Sequence, residues 1–446
     1  MLEVDLTFAY DDALGAGRGL PVAGLAAAAE AGRAALQRVR AAREAGGLGW
    51  LGLPRRMDLA EEVSAWRSAT PPFDDILLLG IGGSALSASL FGALVPRGPS
   101  GPRLHVVDTV DPARLSFLLQ TCRPGRTLVL AVSKSGTTLE TAATFLVAEA
   151  WMERALGARA HERIAAVCDE EPNPLRERAT RKGYACFGVP AGVGGRFSAL
   201  CAVGLLPAAL LGLDPREPLR GAAQALERCL REEPDRNPAL ALAMAHQQAA
   251  SAGRSVAVLW PYGEALRPLG PWWVQLMAES LGKASPRGPV GVTPLAASGP
   301  ADQHSLLQLL LEGPDDKLVV MVGAGSLGSA DPVVPRGGEE LTPVGGQSLA
   351  QVLRAEQEAT AHALARAGRP VLTIQLADAG PASVGALLLT LEVMVATWAQ
   401  MMGVDAFDQP AVAFGKQAAL ARLLGQPGAL ASEMEASRAR PRRVTR

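Results

Sequence analysis

Lysine is scarce in this chain. Of 43 basic residues in 446, only five are lysine: Lys134, Lys182, Lys283, Lys317 and Lys416. A lysine that persists in an arginine-writing chain is a candidate for work a guanidinium does poorly, such as proton transfer or a point-charge contact in a small pocket. Cysteine is scarce too. Cys122, Cys168, Cys186, Cys201 and Cys229 are widely spaced with no C-x-x-C pair. That excludes a disulfide framework and suits small buried hydrophobes in a reducing compartment. The five histidines form no H-x-x-x-H pattern and no Cys/His cluster in sequence, so no zinc site is expected. Neither sign of charge is in excess: the formal net charge of −1 argues against nucleic-acid and membrane-surface partners. The longest apolar stretches are interrupted as well. Leu200–Leu213 is broken by Gly and Pro, and Val384–Met402 carries Glu392, so neither makes a convincing membrane span. No basic region precedes an apolar segment near Met1, so no signal peptide is expected. A soluble, cytoplasmic, globular protein follows.

What is present is an alternation of strand-like and helix-like runs. Asp75–Gly80, Leu104–Asp108, Thr127–Val132 and Arg163–Val167 are short apolar runs at the spacing of βαβ units. Near-continuous apolar strands separated by helices predict parallel sheets covered on both faces. Phe197–Ser251 reads mostly as helix, broken at Pro207, Pro215 and Pro238. The alternation restarts with strands at Ser255–Trp260, Lys317–Val322 and Pro370–Gln375, and helices at Pro268–Leu281, Ser348–Ala367 and Ala382–Met402. The expected organisation is an N-terminal helical segment (1–44), two α/β domains (45–215 and 216–402) and a C-terminal arm (403–446). Residues 426–446 carry five arginines and read as a solvated, frayed tail.

Open parallel sheets bind ligands outside the carboxyl ends of their strands. Two strand ends carry polar loops here. Ser133-Lys134-Ser135-Gly136-Thr137-Thr138 packs four hydroxyls, a glycine and a lysine between a strand and a helix. Outward backbone N–H groups and the positive helix end favour an anion such as phosphate at such a turn; an ordinary Ser/Thr helix cap is the alternative. Gly80-Ile81-Gly82-Gly83-Ser84-Ala85 satisfies G-x-G-x-x-G/A, and Asp108 ends the next strand where a ribose-binding acid would stand. A nicotinamide-dependent dehydrogenase is therefore a competing reading. Two polar loops flanking one crevice suit a small phosphorylated molecule better.

Four further constellations follow. In Gly194-Gly195-Arg196-Phe197-Ser198, glycines permit close approach of a ligand and the guanidinium offers planar donors to developing negative charge; a surface arginine is the alternative. Gln275 and Glu279 stand one helical turn apart. Trp272, Trp273, Leu276 and Met277 around them suggest apolar surroundings, in which a carboxylate becomes a stronger base. His304, in the polar turn Asp302-Gln303-His304-Ser305, is a potential acid or base, or a packed helix-entry residue. Gln409-Pro410 followed by Gly415-Lys416 places an amide and a lysine near the C-terminus, with Pro410 suited to a first helical turn.

In this order, the motifs resemble the glucose-6-phosphate isomerase (phosphoglucose isomerase) family, within the sugar-isomerase (SIS) superfamily. The carrying segments span residues 79 to 416. The resemblance implies two SIS-type domains, each a parallel sheet sandwiched by helices, with a C-terminal helical arm. It implies interconversion of glucose 6-phosphate and fructose 6-phosphate in glycolysis and gluconeogenesis, without metal, nucleotide or redox cofactor. It places Gly83, Ser84, Ser133, Lys134, Ser135, Thr137 and Thr138 in the substrate-binding loops. Glu279 matches the base working between C1 and C2, and Arg196 the residue stabilising the enediolate. His304 and Lys416 match residues linked with ring opening, and Gln275 and Gln409 substrate-contacting amides. Such proteins are usually homodimers that share the histidine across the interface. A bifunctional phosphoglucose/phosphomannose isomerase and a non-catalytic SIS-type sugar-phosphate sensor remain alternatives. The chain departs from the family pattern at Ala411 and Ala413, at Ser135-Gly136, and at Ser87, where glycine is frequent.

Overall fold

A computed structural model describes residues 2–95, 101–286, 288–328, 330–338, 340–425 and 428–438. After strand β1 (Glu3–Asp5) and helices α1 (Asp11–Leu14), α2 (Leu25–Glu44) and α3 (Met57–Ala69), the apolar runs become a sheet. Strands β2 (Asp75–Leu79), β3 (Arg103–Val107), β4 (Thr127–Val132), β5 (Ile164–Asp169) and β6 (Ala185–Val189) alternate with α4 (Gly83–Ala93), α5 (Pro112–Thr121), α6 (Leu139–Leu156) and α7 (Pro174–Lys182). All pairs are parallel, in the order β3-β2-β4-β5-β6. Every residue of β2 and β4 is buried, as strands covered on both faces must be. Leu77, Leu79, Val129 and Ala131 form one cluster with Phe145 and Met152 of α6 and Leu175 of α7. From β2 the chain moves to β3 on one side and then to β4 on the other. The carboxyl ends of β2 and β4 therefore bracket a topological switch point.

Helices α8 (Ala202–Leu210), α9 (Arg216–Cys229) and α10 (Pro238–Ser251) follow. Pro207 does not break the helix as expected; it lies inside α8. Its missing N–H costs one helical hydrogen bond, but every residue of α8 is buried, and that packing outweighs the loss. The chain turns instead at Gly212, where φ is +93°.

The second sheet repeats the first one's logic with β7 (Val256–Pro261), helix α11 (Leu269–Leu281), the antiparallel pair β8 (Lys283–Ser285) and β9 (Gly288–Val290), β10 (Thr293–Ala296), α12 (Leu307–Glu312), β11 (Lys317–Ala324), α13 (Leu349–Arg366), β12 (Val371–Leu376) and α14 (Pro381–Met402). Its order is β1-β12-β11-β7-β10, with β7 and β11 bracketing the equivalent switch point. The N-terminal residues, expected to be helical, supply the edge strand β1, antiparallel to β12. Helix α14 is long and apolar enough to cross a membrane by length and composition, yet 83% of its apolar window is buried within the molecule.

A separate compact unit begins at Phe407. Pro410 opens a 3-10 turn that runs into α15 (Ala413–Leu423), and α16 (Ala429–Arg438) follows. The expected frayed tail is thus helical over Ala429–Arg438, a stretch rich in Ala, Leu, Glu and Met; 426–427 and 439–446 lie outside the described residues.

One ion pair fastens α6 to α7 beside the first switch point. Glu149 is 2% exposed and accepts from both Nε (2.8 Å) and Nη2 of Arg178, and from the Tyr184 hydroxyl (2.8 Å). Burial alone would raise the Glu149 carboxyl, but these donors outweigh it and hold it below its ordinary range. A depressed carboxyl contributes stability above its unfolded value and loses that contribution as pH falls through the folded one. Glu149→Gln should therefore cost about 3 kcal/mol in urea unfolding at neutral pH. The deficit should shrink below about pH 4; a deficit that does not change with pH would contradict the charge linkage.

Candidate active site

The two loops at the first switch point are the Gly80–Ser84 turn after β2 and the Ser133–Thr138 loop after β4. Helix α4 starts behind Gly82 and α6 behind Thr138, and neither has a side-chain cap hydrogen bond. The ordinary-cap alternative for Thr138 is thereby set aside: its Oγ1 accepts from Ser133 Oγ at 3.0 Å instead. Two uncapped helix N-termini face one crevice, each with its positive dipole end outward. The turn after β2 also lies close against the end of β4, since a Cβ at Gly80 would stand 3.0 Å from the Val132 carbonyl oxygen. Ser135 Oγ accepts from both the N–H and the hydroxyl of Thr137, so the cradle's hydroxyls order one another.

Lys134 is half-buried, and its ammonium lies 3.9 Å from Asp169 at the end of β5. Burial pushes the Asp169 carboxyl up, against the opposing pull of Lys134 and Arg176. Gly136 has φ +67°, and a Cβ there would sit 2.3 Å from Asn173 Oδ1. Asn173 is the N-cap of α7, accepting from the Arg176 N–H at 3.0 Å. The Ser135-Gly136 departure thus has a local cause: the loop rests on a helix cap that leaves no room for a side chain.

The reactive half of the site comes from the loop after β6 and from α11. Backbone meets backbone where a Cβ on Gly83 would fall 2.0 Å from the Gly195 carbonyl oxygen. That contact seats Arg196, which is 3% exposed. Arg196 Nε donates to Ser280 Oγ at 2.8 Å, Nη2 to the Ala406 carbonyl, and Nη1 to Glu279 Oε2 at 3.1 Å. Gln275 Nε2 donates to the other oxygen, Glu279 Oε1, at 3.1 Å, and lies against Gly82. Gln275 Oε1 is buried without a partner among the described residues. The expected apolar surroundings of Glu279 are a correction: Trp272, Trp273, Leu276 and Met277 are buried in the core, whereas the Glu279 side chain is 33% exposed and faces a guanidinium and an amide.

Gly83, Ser84, Ser133, Lys134, Ser135, Thr137 and Thr138 thus share one switch point, and Arg196, Gln275 and Glu279 join it through Gly82 and Gly83. His304 is not bonded to them. It is exposed in the turn Ala301–His304, which Gln303 pins by donating to the Tyr262 hydroxyl and Thr360 Oγ1, both at 2.9 Å. Gln409 and Lys416 belong to the C-terminal unit, where Lys416 is exposed on α15. Sequence reasoning missed Asp169, the Ala406 carbonyl, and the supporting roles of Ser280 and Asn173. Asn173-Pro174 carried a readable helix-start signal; a backbone carbonyl 210 residues from its guanidinium carried none. Gly80, Val107, Asp108, Glu140 and Thr141 surround a void too small for a water molecule. Asp75, His105 and Cys122, remote in sequence, bring ligand atoms within 4.8 Å of one another. Arg103 donates to both Asp75 oxygens, and its charge opposes a cation there.

The phosphoglucose isomerase family model matches residues 55–321. The chain belongs to the phosphoglucose isomerase family. It is similar to the glucose-6-phosphate isomerase of Carboxydothermus hydrogenoformans, 37% identical over 411 residues that cover 88% of each chain. Its fold is similar to the crystal structure of a hypothetical protein from Thermus thermophilus, with TM-score 0.87 and 38% identity over 95% of this chain and 100% of that one. It is also similar to a glucose-6-phosphate isomerase from Chlamydia trachomatis, with TM-score 0.72 and 25% identity over 86% of this chain and 75% of that one. The family match contains Arg196, Gln275, Glu279 and His304; Gln409 and Lys416 lie beyond it.

Gly136→Ala tests the anion loop. It places a Cβ against the Asn173 cap at a positive φ, so it should destabilise the protein by more than about 1 kcal/mol. It should also raise the Kd for inorganic phosphate in a calorimetric titration. Unchanged phosphate affinity would remove the loop from the anion site.

Proposed function

We propose that this protein is an aldose–ketose isomerase of glucose 6-phosphate and fructose 6-phosphate, acting by proton transfer through a cis-enediolate. The observation that carries the reading is Glu279, a part-exposed carboxylate held by a buried guanidinium on one oxygen and an amide on the other, beside two uncapped helix N-termini. The phosphate rests on the Ser133–Thr138 hydroxyls, the Gly83 and Ser84 end of α4, and Lys134. Glu279 takes the proton from C2 of the opened aldose and returns it to C1, one carboxylate serving adjacent carbons. Arg196, fixed before substrate arrives, meets the negative charge that develops on the C1–C2 oxygens; preorganised donors of this kind are worth about 10²–10³ in kcat. Gln275 and Gln409 hold sugar hydroxyls, while His304 and Lys416 manage the ring oxygen and anomeric hydroxyl during opening.

Residues 45–215 and 216–402 are read as the two SIS-type domains, with 1–44 and 403–446 as the N-terminal segment and C-terminal arm. The working unit is a homodimer in which His304 of the partner subunit completes the site; an exposed histidine ring on a pinned turn supports that reading. The cytoplasm, where five free thiols stay reduced, is the proposed compartment.

A coupled assay supplying fructose 6-phosphate and following glucose 6-phosphate tests the activity. Glu279→Gln should fold normally and lose about 10²–10⁴-fold in kcat; wild-type turnover by that variant would remove Glu279 as the base. Binding without turnover by the wild-type protein would favour the sensor reading. Mixing Glu279→Gln with His304→Ala under subunit exchange should regain activity that neither has alone. If no activity returns, the histidine is not shared.

A further inference from the structure

The face of the second sheet that α13 covers is polar at its β1 edge. Glu3 pairs with Gln375 and Asp5 with Thr373 across the antiparallel β1–β12 ladder, and opposite residues of such a pair share a face. With Glu358 and His362 of α13, these side chains wall a cavity of about 390 Å³, the size of a small-ligand pocket. None of the residues assigned to the phosphosugar site lines it. One wall holds an amide with nothing to bond. Gln357 is 7% exposed, and its side chain makes no hydrogen bond among the described residues. The amide is not sealed in, and the surface it keeps lies on the cavity wall. Gly323 of β11 makes room for it: a Cβ there would stand 2.3 Å from Gln357 Oε1 and 2.7 Å from Nε2. The Thr373 hydroxyl, on the opposite wall, also lacks a partner among the described residues.

Charge decides what these groups receive. Glu3, Asp5 and Glu358 share the cavity with one guanidinium, Arg354, which donates to the Gly325 carbonyl at 3.3 Å. Three carboxylates against one arginine leave the cavity negative even with the His362 ring protonated. Asp5 accepts from the Thr7 N–H at 2.8 Å. The Glu3 and Glu358 carboxylates have no hydrogen bond or ion pair among the described residues. A single metal ion fits poorly, because no three of these acidic and imidazole groups bring ligand atoms within 4.8 Å of one another. Separated carboxylates suit a cation whose charges are separated too. Residues two apart on a strand stand about 7 Å apart, a distance comparable to the span of an extended four-carbon diamine. Phe8, packed edge-on against His362 with 4.8 Å between ring centres, offers the methylene chain an apolar wall.

We propose that the cavity between α13 and the β1–β12 edge is a second ligand site, selective for a linear aliphatic diamine whose ammonium groups are met by Glu3, Asp5, Glu358 and the Gln357 amide. The test titrates 1,4-diaminobutane and 1,5-diaminopentane into the full chain by calorimetry at low ionic strength, where exposed ion pairs are least screened. Saturable one-to-one binding of at least one diamine is expected, and it should persist in saturating glucose 6-phosphate. Glu3→Gln and Glu358→Gln should each weaken it about threefold, the size of an exposed ion pair. Gln357→Leu should weaken it about tenfold, the size of one lost hydrogen bond to a charged group. The singly charged 1-aminobutane should bind about tenfold more weakly, the product of two lost ion pairs, and Mg²⁺ at equal concentration should not displace the diamine. Glu358→Lys, at an exposed helical position, should abolish binding, and Glu3→Lys should do the same from the opposite wall. The proposal is overturned if neither diamine binds, if glucose 6-phosphate displaces the diamine competitively, if 1-aminobutane or Mg²⁺ binds as tightly, or if either folded charge reversal retains wild-type affinity.

Discussion

Arg196 donates to Glu279 and Ser280, 83 and 84 residues ahead of it, and to the Ala406 carbonyl, 210 residues ahead. A guanidinium 3% exposed is tolerated only if its N–H groups are met, because an unpaired buried charge costs several kcal/mol. The requirement is therefore geometric: the loop after β6, the last turn of α11 and the chain just past α14 must all arrive at one point. The contact between Gly83 and Gly195 lets them arrive, since any side chain at Gly83 would collide with a carbonyl oxygen. The site's cation is thus also a structural tie, and its position is settled before any ligand binds.

The rest of the site follows from sheet topology. With strands in the order β3-β2-β4-β5-β6, all parallel, the sheet grows outward from β2 on one side to β3 and on the other to β4. Two helix N-termini then open on the same crevice with positive ends outward. Helix α11 from the second sheet brings Gln275 against Gly82, joining carboxylate to anion cradle without an intervening layer. Binding and proton transfer are thereby assigned to different elements: the loops hold an anion, and α11 presents a carboxylate whose two oxygens are separately held.

Some of this was legible in the sequence. Thr127–Val132 is a six-residue apolar run, and it is β4 residue for residue. The helices at 268–281, 348–367 and 382–402 differ from α11, α13 and α14 by one or two residues at their ends. Other strands were hidden by composition. Glu3–Asp5 is two acids around a valine, Ala185–Val189 carries a glycine and is partly exposed, and Thr293–Ala296 contains a proline. Each is a strand because a neighbouring strand pairs with it, a tertiary cause that local pattern does not record. At the site, Gln275 and Glu279 could be paired from their helical spacing. The apolar setting expected for Glu279 came from reading its neighbours as its surroundings. In a helix those residues point elsewhere, and what the carboxylate meets was decided by an arginine from another domain-length of chain.

The most direct test of the central claim follows the C2 proton itself. Glucose 6-phosphate incubated with the protein in heavy water, observed by NMR, reports exchange at C2 and formation of fructose 6-phosphate together. If Glu279, oriented by Arg196 and Gln275, is the base for both, wild-type protein will isomerise with solvent deuterium appearing at C2. Glu279→Gln will then lose exchange and isomerisation by the same large factor. Exchange that continues at the wild-type rate in the variant would contradict the account.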